Sequence, residues 1–141
     1  MAQFGKSSLK LLVNAHFDLQ RVLKLAITRY DFTILCTYRG KADQEAAFAA
    51  GKSKAHFGQS PHNFIPSVAV DIAPYPIDWN DLKRFDELHD VMMQAAKELG
   101  VPLRWGGDWD GNPSTPNKLN DLPHFELNPW RDFAKVHAGS T

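Results

Sequence analysis

Residues 60–73 of the chain read Ser60-Pro61-His62-Asn63-Phe64-Ile65-Pro66-Ser67-Val68-Ala69-Val70-Asp71-Ile72-Ala73. The first half of this stretch, rich in Ser, Pro and Asn, is typical of a loop and closes a loop predicted over residues 51–66. Its second half alternates and is rich in β-branched residues, which predicts a strand over residues 67–73 that stops at Pro74. Asp71 interrupts that apolar strand. Because burying an unpartnered carboxylate costs several kcal/mol, a metal ion or another cation beside Asp71 would offset the cost.

Two histidines are candidates to share that cation with Asp71. His62 ends the loop before the strand, and His124 opens a last short strand predicted over residues 124–127. Two histidines and one aspartate form a plausible catalytic zinc site whose fourth position stays open for water. Such a site needs a carboxylate that is not a ligand to accept the proton of that water, and Asp121 is the candidate. The alternative is a turn histidine and an edge-strand aspartate that faces water.

The remaining pattern predicts helices and strands in the order α-β-α-β-α-β-β. Apolar spacing predicts a long helix over residues 8–29 and another over residues 82–99, capped by Asp78 or Asn80 and ended by Gly100. The other predicted elements are strands at residues 32–37 and 101–105 and a helix at residues 41–50. We therefore expect an α+β fold: helices packed on a small, mainly antiparallel sheet. One domain spans residues 1–141, with a peripheral tail from residue 129.

The composition excludes several classes of protein. With 16 basic and 16 acidic residues the formal net charge is zero, which is unlike a nucleic-acid-binding protein. The N-terminus lacks the apolar segment of a secretory signal, and no stretch approaches the ~20 apolar residues of a membrane helix. We expect a protein made in a cytoplasm, without stable membrane association. The single cysteine, Cys36, lies in an apolar run and is expected to be a buried structural thiol.

A long loop over residues 106–123 offers a second candidate metal site. Asp108, Asp110 and Asn112 place oxygen-bearing side chains at alternating positions, as in the first half of a calcium loop. The twelfth position, however, is Leu119, where a calcium loop carries a bidentate Glu. Local Asx turns are the alternative explanation for these three residues.

The ordered motifs resemble the zinc D-alanyl-D-alanine peptidase family. That family includes the vancomycin-resistance D,D-dipeptidases and the L-alanyl-D-glutamate endopeptidases that serve as phage endolysins. The family pattern is Ser-x-His, then Ala-x-Asp, and later an acidic residue shortly before His-x-Glu. The matching segments here, in chain order, are Tyr38-Arg39-Gly40 with Gln44, Ser60-Pro61-His62, Ala69-Val70-Asp71 and Asp121-Leu122-Pro123-His124-Phe125-Glu126. The interval from His62 to Asp71 is longer than is usual in the family, so the loop between them is expected to bulge.

The resemblance implies a Hedgehog/D,D-peptidase-like domain and a role for each matching residue. His62, Asp71 and His124 are implied to be ligands of one zinc ion, and Asp121 the catalytic acid and base. Arg39 is implied to be the cation that stabilises the carbonyl oxygen or a substrate carboxylate. Ser60 is implied to support the loop, and we expect Glu126 to partner a ligand histidine from behind.

Three functions are then open. The first is a phage endolysin that cuts the L-Ala–D-Glu bond of the peptidoglycan stem peptide as a monomer. It would be made in the host bacterial cytoplasm and act on the wall after release. The second is a D-Ala-D-Ala carboxypeptidase or dipeptidase, and the third is a non-catalytic zinc-containing module that binds cell wall. A binding module has no need of a carboxylate such as Asp121 beside its metal.

Overall fold

The computed structural model describes residues 2–106 and 122–134. Five α-helices, four strands and one 3₁₀ turn are found within those ranges. In chain order they are α1 (Lys6–Leu12), α2 (Phe17–Ile27), β1 (Phe32–Cys36), α3 (Lys41–Ala49), the 3₁₀ turn (Pro61–Asn63), β2 (Ala69–Pro74), α4 (Leu82–Leu99), β3 (Leu103–Trp105), β4 (His124–Leu127) and α5 (Trp130–Phe133).

The four strands form one sheet in the order β1-β2-β4-β3, and every neighbouring pair is antiparallel. This confirms the predicted α+β class, and β2, which carries Asp71, pairs with a strand on each side. β2 pairs with β4 so that Asp71 lies opposite His124 and Ala69 lies opposite Glu126. Residues paired directly across two strands project to the same face of a sheet. The ladder alone therefore brings Asp71 and His124 together.

The two faces of the sheet have different tasks. Side chains alternate along each strand, so Val70, Ile72 and Phe125 project away from the Asp71 face. All three are almost fully buried, in a core that α2 and α4 complete with residues such as Leu23 and Met92. α4 begins after Asp81, close to the predicted cap, and ends at Gly100 in the left-handed conformation with a φ of 70°. One face is thus a hydrophobic core, and the other is free to carry polar chemistry.

The prediction of one long helix over residues 8–29 is wrong, because the structure has two helices there. α1 ends at Leu12 and α2 begins at Phe17, because the chain between them pairs with the segment before β2. Ala15 forms an isolated parallel bridge with Ser67, and the His16 N–H donates to the Ser67 carbonyl at 2.7 Å. His16 is therefore the N-cap of α2, and its Nδ1 accepts from the Asp18 N–H. Apolar periodicity alone does not show this interruption.

Strand β1 contains a bulge just before its last residue. Ile34 lies opposite Ile72, but Cys36, two residues on, lies opposite Asp71, the immediate neighbour of Ile72. In a regular strand Cys36 would share the core face with Ile34. The one-residue shift of register moves it to the other face, where Asp71 lies. The expectation that Cys36 is a buried structural thiol is wrong as to burial, because its side chain is half-buried on the Asp71 face.

Helix α1 covers the outer edge of β1. The Ser8 hydroxyl, almost fully buried, accepts a hydrogen bond from the Ile34 N–H at 3.0 Å and also contacts the Thr33 hydroxyl. Further along, the Thr37 hydroxyl donates to the Leu11 carbonyl at 2.7 Å. The Ser8 side chain thus satisfies an edge N–H that a further strand would otherwise pair, and the Thr37 hydroxyl holds the end of α1 against the sheet.

The described part of the tail is attached more closely than expected. Residues Trp130–Phe133 form α5, and Trp130 and Phe133 are partly buried against the core. Trp130 also contacts Phe64, with ring centroids 5.5 Å apart. Across the described part of the chain, none of the helices has both the length and the hydrophobicity of a membrane span.

Candidate metal centre

Three predicted ligands meet on the polar face of the sheet. Asp71 Oδ1 lies 3.3 Å from His62 Nε2 and 3.1 Å from His124 Nδ1. The two imidazole nitrogens are themselves 3.3 Å apart. Asp71 and His124 come from paired strands, whereas His62 comes from the 3₁₀ turn. One carboxylate oxygen and two nitrogens therefore form a compact triangle.

The His62 ring is fixed from behind by the main chain. Its Nδ1 lies 2.6 Å from the Thr37 carbonyl oxygen. Because a carbonyl only accepts, Nδ1 must carry the hydrogen, and Nε2 is left to present its lone pair to the triangle. This outer hydrogen bond sets both the tautomer and the orientation of the ring, as is usual for metal-binding histidines.

The His124 ring is fixed from behind by a carboxylate. Its Nε2 lies 2.8 Å from Glu126 Oε1, two residues along the same face of β4. The carboxylate accepts the Nε2 hydrogen, so Nδ1 presents its lone pair to the triangle. Both groups are nearly fully buried. Glu126 thus lies behind His124, at the place that the sequence led us to expect.

The spacing of the three donors suits zinc. Ligand atoms at about 2.0–2.1 Å from a tetrahedral zinc ion lie about 3.3 Å from one another. The three separations here, 3.1–3.3 Å, agree with that value. Two neutral imidazoles and one carboxylate are also a donor set that zinc commonly takes at catalytic sites. The residues therefore fit the metal that the sequence implied.

The charges at the centre favour a cation. Burial opposes the charged form of Asp71, but the two imidazoles outweigh burial and hold the pKa of Asp71 well below its usual range. Burial lowers the pKa of His62, but the Asp71 carboxylate outweighs burial and raises the pKa of His62 to about 10. The pKa of His124 is also raised, because hydrogen bonds to Asp71 and Glu126 outweigh burial. A site that attracts protons so strongly attracts a divalent cation for the same electrostatic reason.

The loop that carries His62 is held by buried side chains. The Ser60 hydroxyl accepts from the His62 N–H at 3.2 Å and caps the 3₁₀ turn. The side-chain oxygen of Asn63, Oδ1, accepts from the N–H groups of Gly58 and Ser60. The Asn63 amide donates to the Arg39 carbonyl and to Gln44 Oε1. Asn63 is fully buried and uses its whole hydrogen-bonding capacity to hold this loop.

Arg39 lies at the edge of the centre. One of its guanidinium nitrogens is 3.8 Å from Asp71 Oδ2, and another donates to Gln44 Oε1 at 3.1 Å. Gln44 is fully buried and donates in turn to the Ala55 carbonyl and the Ser53 hydroxyl. The guanidinium is thus held beside the triangle with its side chain still 22% exposed, so it can meet a substrate.

Several predicted site residues lie outside the described part of the chain. These are the candidate acid and base Asp121 and the candidate calcium ligands Asp108, Asp110 and Asn112. Their roles stay predictions.

One residue near the centre was missed as a site residue. The donor atoms of Cys36, His62 and Asp71 all lie within 4.8 Å of one another, so these three could hold a metal ion. Only the bulge in β1 brings the thiol there, and the sequence carries no signal for that bulge.

The comparisons with known proteins agree with this fold and site. A sequence profile of the phage L-alanyl-D-glutamate peptidase family matches residues 1–128. The chain belongs to this family of peptidases, which confirms the resemblance seen in the sequence.

Two individual relatives make the match concrete. The chain is 39% identical over 134 residues to the L-alanyl-D-glutamate peptidase of Escherichia phage T5, an alignment that covers 89% of this chain and 97% of that protein. It is also similar to the crystal structure of the Serratia marcescens L-Ala D-Glu endopeptidase ChiX. That match has a TM-score of 0.75 and 28% sequence identity, and it covers 93% of each chain.

Proposed function

We propose that this protein is a zinc-dependent endolysin peptidase that cuts the L-Ala–D-Glu bond in the stem peptide of bacterial peptidoglycan. The observation that carries the proposal is the triangle of His62, Asp71 and His124, whose donor separations of 3.1–3.3 Å match a tetrahedral zinc ion. Membership of the phage L-alanyl-D-glutamate peptidase family supports the choice of bond. Three protein ligands leave the fourth position open, as catalysis requires.

Each residue then has a defined task. His62, Asp71 and His124 hold the metal, and Thr37 and Glu126 keep the two rings aimed at it. When bound, zinc acidifies a coordinated water and polarises a carbonyl oxygen.

Arg39 and Asp121 supply the remaining chemistry. The Arg39 guanidinium, held by Gln44, offers positive charge to the carbonyl oxygen as it becomes an oxyanion, or to a substrate carboxylate. Asp121 accepts the proton of the attacking water and returns it to the amine of the departing D-Glu. Ser60 keeps the His62 loop in place.

The bond is identified by digestion of purified peptidoglycan followed by mass spectrometry of the fragments. We expect new N-terminal D-Glu. Release of C-terminal D-Ala would instead identify a D,D-carboxypeptidase, and the absence of any new terminus would identify a binding module. Either of those results contradicts the proposal.

The metal requirement is tested separately. A chelator should abolish hydrolysis, and stoichiometric zinc should restore it. Full activity in protein shown by elemental analysis to be free of metal would eliminate the proposed chemistry.

The role of Asp121 is tested with Asp121→Asn, and the exposed Asp132→Asn in α5 is the matched control. The first variant should bind zinc as the natural chain does but lose hydrolysis, because its amide cannot accept the proton. The second should keep both properties. Normal cleavage by Asp121→Asn would show that another group is the base.

The proposal extends to where the protein acts. We infer that it works as a monomer on the cell wall after release from the cytoplasm of a bacterial host. Sedimentation of the purified protein with and without zinc checks the first point, and a dimer under both conditions would contradict it.

A further inference from the structure

We propose that Cys36 is a fourth donor within reach of the metal centre, so that thiophilic divalent cations such as Cd²⁺ bind there in a closed, inhibited form. This inference rests on the proposed function, because it assumes that His62, Asp71 and His124 form a metal centre. It adds a soft ligand that the zinc peptidase chemistry does not use.

The first support is the register of the sheet. The bulge in β1 places Cys36 opposite Asp71 and on its face, as described above. A bulge is a device that re-aims one side chain, and it is common beside active sites. Without the shift, the thiol would lie among the apolar residues of the core.

The second support is distance. Cys36 Sγ lies 3.9 Å from His62 Nδ1, and one ligand atom from each of Cys36, His62 and Asp71 lies within 4.8 Å of the other two. The Nδ1 hydrogen already goes to the Thr37 carbonyl at 2.6 Å, so the thiol is not the preferred acceptor of that hydrogen. Cys36 is half-buried and lies beside His62 and Asp71.

The third support is the size and softness of the cation. The His62, Asp71 and His124 donors are spaced for zinc, whereas the thiol lies farther out. Zinc therefore matches the three-donor set with an open position. A larger cation reaches the sulfur with less movement, and thiolate donors select soft metals. On binding, the S–H bond breaks, the proton passes to water, and sulfur donates its electron pair to the cation.

Four protein donors around one ion are the arrangement of structural sites, which lack the open position for water. We therefore expect cadmium to occupy the centre without supporting hydrolysis. The same thiol makes the centre sensitive to soft metals in a way that a chain without Cys36 would not be.

The test is a titration of the full-length, chelator-treated protein with Cd²⁺, followed by ultraviolet absorption. A sulfur-to-cadmium charge-transfer band should grow to a stoichiometry of one and be absent from Cys36→Ser. Competition with a chromophoric chelator should show that Cys36→Ser binds cadmium at least about tenfold more weakly than the natural chain does, because a hydroxyl is a poor ligand for a soft ion. Cys36→Ala, with circular dichroism to verify folding, guards against an effect of misfolding.

The possible failures are distinguishable. If cadmium binds one-to-one without the band, the thiol is not a donor and this inference falls, while the zinc centre stands. If the band persists in a His62→Ala/His124→Ala double variant, the thiol binds cadmium on its own and the inference falls again. If neither zinc nor cadmium binds the natural chain, both the proposed metal centre and this inference are refuted.

Discussion

The loop that carries His62 and the strands that carry Asp71 and His124 bring their side chains to one point by different means. In the strands, backbone pairing does the positioning, because Asp71 and His124 are direct partners in the β2–β4 ladder. In the loop, side chains do it: Ser60, Asn63 and Gln44 hold the turn through buried hydrogen bonds. The positions of Asp71 and His124 therefore depend on the sheet as a whole, whereas the position of His62 depends on a few replaceable side chains.

The greatest change should come from removing a histidine imidazole, and it should be the same in the loop as in the strand. His62→Ala and His124→Ala each remove one of three metal donors, so zinc binding and hydrolysis should both fall to background. Elemental analysis and a peptidoglycan assay measure the two properties. The exposed His56→Ala, whose imidazole pairs with Glu45 and not with the centre, is the matched control and should keep both. If either His62→Ala or His124→Ala kept tightly bound zinc, the two histidines would not both be needed to hold the metal.

The next effect separates loop from strands. Asn63→Ala leaves several buried partners unsatisfied and should lower the free energy of unfolding by about 3 kcal/mol. Zinc affinity should fall as well, because His62 is no longer held in place. Denaturant unfolding with and without zinc measures both effects. The control is the exposed Asn80→Ala, expected within about 0.5 kcal/mol of the natural chain. If the two variants were equally stable, side chains would not be what holds the loop.

A smaller effect concerns the strand side. Glu126→Gln keeps the shape of the side chain but weakens the acceptor behind His124. Zinc affinity should fall about 10–100-fold, with little change in the secondary structure, because the ladder still positions His124. Isothermal titration against a competing chelator measures the affinity. An unchanged affinity would show that the ladder alone suffices.

The last effect is a pH dependence of the metal-free protein. The pKa of His62 is raised to about 10, against about 6.5 for an unfolded histidine. The stability it contributes is therefore complete below about pH 6.5 and is lost as the pH rises through about 10. Denaturation in a chelator at several pH values should show this decline. It should be shallower in Asp71→Asn, which lacks the carboxylate that raises the pKa. Equal slopes in the two proteins would refute the assignment to His62.

The difference between the regions also explains what the sequence could predict. Alternation predicts the strand that carries Asp71, whose charge within an apolar run makes it a candidate ligand. His-x-Glu at residues 124–126 predicts a histidine with a carboxylate partner on the same face of the last strand. Both patterns have a period of two residues, and residues two apart on a strand project to the same face of the sheet. His62 has no periodic signal of its own, and it became a candidate through its place at the end of the loop before the Asp71 strand and through the family motif Ser60-Pro61-His62.

What the sequence could not predict depends on contacts between distant segments. The interruption at residues 13–16 arises from pairing with Ser67, which apolar spacing over residues 8–29 does not record. The position of Cys36 arises from a bulge, and a one-residue shift reverses the face of every side chain after it. The fully buried Gln44 and Asn63 likewise acquire their roles only when loop and helix are folded together.

The hydroxyl of Ser8 has a consequence for how copies of this protein meet. An open sheet edge is a template on which a second chain can add a strand, and such additions lead to domain swapping and aggregation. Here the outward N–H of Ile34 is already bonded to Ser8, and α1 lies over the edge. A strand of a second chain would have to displace α1 before it could pair with β1. A single short helix therefore blocks intermolecular β-association at this edge.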